Sequence, residues 1–172
     1  MTACRGTENK TPDAPVAATP QSPAASPDAD AAPEKTPPEN VVQAEAPSAD
    51  LMRSARANVP VRVTIAKGYH INANPPSFPY LIATELTVEP KAGFVIGKPV
   101  YPASVTRKFA FSKDPLAVYE GNVVIKMPIS IAEGKPPYSE HGLNGKLRYQ
   151  ACDDDTCFPP NTLDVNLHAV VK

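Results

Sequence analysis

The feature that most limits how this chain can fold is an apolar/polar alternation with a period of two. Leu163, Val165, Leu167, Ala169 and Val171 alternate with Asp164, Asn166 and His168 near the C-terminal end. That period belongs to a strand with one dry and one wet face. The same pattern sets Val61, Val63 and Ile65 against Arg62, Thr64 and Ala66, and Ile125, Met127, Ile129 and Ile131 against Lys126, Pro128 and Ser130. Leu147 and Tyr149 alternate with Lys146, Arg148 and Gln150 in a strand that delivers Cys152. Further strands are predicted over 83–88 and 117–124. The stretches 72–80, 97–115 and 133–145 carry Pro, Gly, Asn and Ser and are predicted to be loops. No segment carries a helical stripe. About seven short strands with hairpin-scale connections predict an all-β, immunoglobulin-like antiparallel sandwich, in architecture only, because the cysteine–tryptophan–cysteine signature is absent.

Upstream of Leu51 the composition changes. Met1 to Asp50 contains no aromatic residue and is dominated by Ala, Pro, Ser, Thr, Asp and Glu, which does not bury enough apolar surface to offset chain entropy. Residues 1–50 are therefore expected to be a disordered Ala/Pro/Ser-rich tether, and residues 51–172, roughly 120 in all, a single domain. The opening residues Met1, Thr2, Ala3 and Cys4 resemble the cleavage site of a bacterial lipoprotein, which makes Cys4 the lipidation candidate. The charged and apolar parts of a signal peptide are missing, so the natural start is expected upstream. A net charge of -1 supplies no basic field for nucleic acid. No apolar run reaches the roughly 18 to 20 residues of a membrane span, so membrane association is expected only through an anchor.

Four residues separate Cys152 from Cys157, with Pro159 and Pro160 following before the last strand. A hairpin of this size brings two Cα atoms within disulfide range. So small a loop gains little from being closed, and position therefore argues for redox use over bracing. Asp153, Asp154 and Asp155 fill the loop; like charges disfavour a thiolate and should raise the thiol pKa, leaving a pair that waits for a partner's thiolate. Two other readings stay open: a structural disulfide in a binding or assembly module, and a dithiol that binds a metal or reactive sulfur. A zinc site lacks ligand spacing, since His70, His141 and His168 stand in no such relation to the cysteines. A thioredoxin-type Cys-x-x-Cys is excluded by spacing and by the missing helix.

Gly68, Tyr69, His70, Ile71 and Asn72, the run Val118 to Gly121, and above all Leu147 to Cys152 with Cys157, Phe158, Pro159 and Pro160 carry a resemblance. Over roughly residues 55 to 171 the sequence resembles the family of N-terminal periplasmic domains of the thiol:disulfide interchange protein DsbD. The resemblance implies an immunoglobulin-like redox domain without cofactor or metal, a protein-disulfide reductase module in the periplasm or cell envelope. Its cysteine pair would take electrons from a membrane electron-transfer protein and pass them to thioredoxin-fold periplasmic proteins. It also implies an aromatic cap over the disulfide, with Phe109 or Phe111 in the stretch 107–111 as candidates. Tyr69, His70, Asn72 and Tyr149 fall near the implied pocket. Cys152 is expected to be the cysteine that bonds to clients. The sequence ends at Lys172, directly after its last strand, so the electron donor is expected to be another polypeptide or the sequence to be part of a longer one.

Overall fold

Alternating side chains decide which elements form and where each lands. In the computed structural model, which describes residues 38–53, 55–132 and 138–172, the chain runs through β1 (Val42–Glu45), β2 (Ala49–Leu51), β3 (Ala57–Ile65), β4 (His70–Asn72), β5 (Glu85–Val88) and β6 (Phe94–Ile96). It continues through β7 (Val105–Arg107), β8 (Leu116–Tyr119), β9 (Asn122–Ile131), β10 (Glu140–Tyr149), β11 (Ala151–Cys152) and β12 (Asn161–Val171). These residues all lie within one compact unit, Pro33–Lys172. Cys4 and the tether as far as residue 37 lie outside the described residues.

Two four-stranded sheets, ordered β1-β3-β9-β6 and β2-β12-β10-β5, supply the inward faces of one core. From the first come Val59, Val61, Val63, Ile65, Ile125, Met127 and Ile129; from the second, Leu143, Leu147, Val165, Leu167, Ala169 and Val171. These are the residues that the period of two selects. The all-β, immunoglobulin-like sandwich expected from the sequence is thus the fold. A third sheet, β11-β4-β8-β7, adds to it. All neighbouring strands are antiparallel except β2, which runs parallel to β12.

Four expectations need correction. Residues 42–50, assigned to the tether, contribute β1 and most of β2, with Val41 and Val42 buried in the core alongside Leu51; two strands this short, set among Ala and Glu, are too small for a composition argument to detect. The strand expected over 117–124 is instead two strands from different sheets, β8 and β9, separated at Glu120 and Gly121. Gly121 holds φ +62 there, a left-handed turn that suits glycine. The predicted loop 133–145 ends early, because β10 begins at Glu140. Gly145 fits its centre since a Cβ would stand 3.0 Å from the carbonyl oxygens of Thr87 and Val165 on either side. Lastly, β7 lies within the predicted loop 97–115; all three of its residues are exposed, so pairing with β8 holds it rather than an apolar face.

Leu51→Ala should lower stability by about 2–5 kcal/mol, the usual loss for a buried leucine truncated without collapse of the site. A urea denaturation midpoint that does not move would place β2 outside the cooperative unit.

Candidate functional site

The ladder between β10 and β12 pairs Glu140 with Val170 through to Tyr149 with Asn161 without interruption. After Tyr149 the chain leaves that ladder, and Ala151 and Cys152 pair with Ile71 and His70 of β4 instead. The third sheet therefore presents alternate residues to two different environments. Ile71, Tyr119 and Ala151 belong to the main core. On the opposite face stand Cys152 and its partner His70, then Asn72 and its partner Val118.

Cys152 and Cys157 form a disulfide with Cα atoms 3.9 Å apart, below the range expected from spacing alone. The hairpin around it is hydrogen-bonded on its own account. Phe158 N–H donates to the Ala151 carbonyl at 2.9 Å and Asp153 N–H to the Thr156 carbonyl at 2.9 Å. Asp153 Oδ1 accepts from the backbone N–H of Asp155 at 2.9 Å and of Thr156 at 2.7 Å, an Asx-type closure of the loop. Asp154 and Asp155 are exposed. Cys152 is fully buried, whereas Cys157 is only partly so.

Rings cover the cysteine face. Phe109 stacks on His70 with centroids 4.0 Å apart and planes 15° from parallel, and Phe111 stacks on Phe109 at 5.3 Å. Phe109 is buried with Leu116 and Val118 in a cluster separate from the main core, against which Phe78 and Leu81 pack; Phe111 is 39% exposed. The segment bearing the rings joins β7 to β8 and is folded on itself: Lys108 Nζ donates to the carbonyls of Ser112, at 2.8 Å, and Lys113. At its base Arg107 Nη2 donates to Glu120 Oε2 at 2.8 Å and Nε to Oε1 at 3.0 Å.

His70 is 2% exposed and its Nε2 is buried without a hydrogen-bond partner. Burial lowers its pKa from 6.5, against the opposing pull of Glu120, Asp154 and Asp153. A neutral imidazole suits the stack, because charging it would mean desolvating a cation beneath Phe109.

The other sequence candidates separate. Tyr69 is half-buried, 6.1 Å from the Phe158 ring, and lines a groove with Lys67, His70, Glu120 and Asp154. Asn72 braces the loops: its Nδ2 donates to the Ile82 carbonyl at 3.0 Å and to Gln150 Oε1 at 3.4 Å, while Gln150 Nε2 donates to the Phe158 carbonyl at 3.0 Å. Tyr149 lines a different groove, with Ala151, Pro159, Pro160 and Leu163. Sequence reasoning missed Glu120, Gln150, Phe78 and Leu81. Glu120 falls inside the run Val118 to Gly121 and Gln150 inside Leu147 to Cys152, whereas Phe78 and Leu81 carry no local signal, since only the packing of their loop on the ring cluster brings them here. Among the described residues no group of three or more His, Cys, Asp or Glu side chains is disposed to hold a metal ion.

The chain matches the family model described as thiol:disulfide interchange protein DsbD, N-terminal, over residues 36–169. No curated protein matches it. Two similar solved structures are N-terminal domains. One is that of DsbD from Neisseria meningitidis in the reduced form, 21% identical, covering 76% of this chain and 87% of that one with a TM-score of 0.45. The other is the N-terminal periplasmic domain of ScsB from Proteus mirabilis, 18% identical, covering 78% of this chain and 49% of that one with a TM-score of 0.49. The chain thus matches about half the length of the ScsB chain.

Because the folded pKa of His70 lies below 6.5, the unfolded chain takes up this proton before the folded one does. The His70 contribution is therefore fully present above pH 6.5 and is lost as pH falls from there through the folded pKa. In urea titrations at a series of pH values, His70→Phe should lose part of the wild-type decline below pH 6.5; identical slopes would mean that the imidazole titrates normally.

Proposed function

Since this chain belongs to the family of DsbD N-terminal domains, whose business is thiol–disulfide exchange, we propose that it carries electrons between a membrane electron-transfer protein and thioredoxin-fold proteins of the periplasm. The observation that carries this reading is the placement of the disulfide. It joins neighbouring residues of one hairpin at the edge of the third sheet, next to a face covered by a small separate ring cluster, instead of tying the two main sheets together.

The reaction is a pair of exchanges. A partner thiolate attacks one sulfur, the Cys152–Cys157 bond breaks, and the freed sulfur leaves with the electron pair; a second partner thiol then resolves the mixed disulfide and leaves the domain as a dithiol. Delivery to a client disulfide runs the same steps in reverse. Cys157, the less buried sulfur, is the one that bonds to partners, which reverses the preference for Cys152 drawn from sequence. Phe109, seated on His70, is the cap, and Phe111 is its exposed outer layer; docking displaces them. Asp153 shapes the hairpin, while exposed Asp154 and Asp155 act on the thiols only through water-screened charge. The Ala/Pro-rich stretch before Pro38 serves as a tether to the envelope, anchored through a lipidated Cys4.

Two measurements bear on this. The Cys152/Cys157 couple should equilibrate with glutathione or thioredoxin buffers between about -300 and -120 mV, the range of exchangers, and a value below about -300 mV would identify a structural bond instead. In cells, Cys152→Ala should accumulate a mixed disulfide through Cys157 with thioredoxin-fold proteins; if neither single-cysteine variant traps one, the carrier reading is wrong.

A further inference from the structure

Cys152 presents a chemical problem that the exchange reaction alone leaves unsolved. It is fully buried, and a buried thiol ionises reluctantly because a thiolate loses its solvation there. When a reduced domain has attacked a client through Cys157, Cys152 must become a thiolate to break the mixed disulfide.

One unused proton acceptor stands beside it. His70 is the antiparallel partner of Cys152 across β4 and β11, and directly opposed residues of such a pair project to the same face with Cβ atoms about 4.5–5.5 Å apart. His70 Nε2 is buried and bonded to nothing. An orphaned buried ring nitrogen carries a desolvation penalty with no structural return in the disulfide form. Reduction places a thiol within its neighbourhood. Resting on the exchange function proposed above, we infer that His70 is the general base of the resolving step, taking the Cys152 proton as that sulfur attacks Cys157.

The step balances as follows. The Cys152 S–H bond breaks and its proton passes to Nε2; the sulfur's electron pair forms the bond to Cys157 Sγ; the bond between Cys157 and the client sulfur breaks, and its pair leaves with that sulfur. The imidazolium then gives its proton to the departing thiolate or to water. The client disulfide ends as a dithiol, two electrons having passed from the domain. In the loading direction Nε2 first takes a proton from the attacking partner thiol or from water, and delivers it to Cys152 as that sulfur is expelled.

The surroundings favour a transient imidazolium. Glu120 from the β8–β9 turn and Asp153 and Asp154 from the cysteine loop all act on His70 with negative charge. Glu120 is itself shared with Arg107, and Lys67 and Tyr69 share the groove with Glu120 and Asp154. Burial keeps the resting ring neutral and therefore able to accept. In the resting domain the stack with Phe109 sets the plane of the ring.

The test uses the full chain with Cys4→Ser, so that only two thiols react. The reduced protein is mixed with excess of a chromogenic aryl disulfide in stopped flow. Attack by Cys157 releases a first aryl thiolate at a rate proportional to reagent; resolution by Cys152 releases a second at a rate independent of reagent. In the wild type the second rate should inflect below pH 6.5 and then stay level to beyond pH 8. In His70→Phe, which keeps a stacking ring, it should fall about 10- to 100-fold at pH 7 and climb with pH through and beyond the ordinary thiol value of about 8.5, because burial holds the Cys152 thiol above it. His70→Asn should behave as His70→Phe does. Should either variant fold poorly, the wild-type profile still decides, because a second rate that climbs steadily to pH 8.5 overturns the assignment. Equal profiles in wild type and variants overturn it as well while leaving exchange intact. A wild type that never releases the second equivalent overturns the exchange function, and this inference with it.

Discussion

A strand turns successive side chains to opposite faces, and where β11, β4 and β8 pair in the third sheet both faces must be dry. Everything about the cysteine pair depends on that constraint. Ile71, Ala151 and Tyr119 satisfy the inner face by joining the main core. The outer face is made of His70, Cys152, Asn72 and Val118, a set too polar to be covered by general collapse. Its cover is local: Phe109, packed on Leu116 and Val118 of that face and flanked by Phe78 and Leu81. Burying one aromatic side chain is worth about 1.5–3 kcal/mol. A cover resting mainly on one such ring holds firmly against solvent yet yields to a partner that offers comparable apolar contact.

What was legible in the sequence followed from the range over which each signal acts. The long strands β3, β9 and β12 and the end of β10 bury or half-bury whole alternating rows, so their period survives any tertiary context. The cysteine hairpin was legible too, since its chemistry lies within six consecutive residues. Short strands were not. β4 has three residues and β11 two, below the length at which alternation can be told from chance. β7 is wholly exposed, and β1 and β2 sit in a stretch whose composition resembles the tether. The pocket inherits this difficulty: His70, Phe109, Glu120 and Cys152 come from four separate segments, and only the pairing register makes them neighbours.

The acidic triplet shows how an argument from charge changes once positions are known. Read from sequence, Asp153, Asp154 and Asp155 act alike on the sulfurs. In the fold the Asp153 carboxylate accepts two backbone N–H groups and closes the turn, so its first effect is geometric. Asp154 and Asp155 face solvent, where screening weakens them. Part of the field that remains falls on His70, opposing the burial that keeps the ring neutral. The same negative charge that disfavours a thiolate also steadies a protonated imidazole, and the two effects act in opposite directions on proton transfer between them.

A domain that is oxidised and reduced in turn must keep its fold in both states, and the hairpin explains how this one would. A disulfide that closes a long loop restricts the unfolded chain most; one spanning four intervening residues restricts it by about 2 kcal/mol, against roughly 3 kcal/mol for a 15-residue loop. The hairpin is held independently by hydrogen bonds from Phe158 to Ala151, from Asp153 to Thr156, and from Gln150 to the Phe158 carbonyl. Breaking the sulfur bond therefore leaves the two cysteines side by side. Electron transfer then changes a covalent bond without changing the scaffold, and the free energy of each exchange is set by the sulfurs and their protons rather than by refolding.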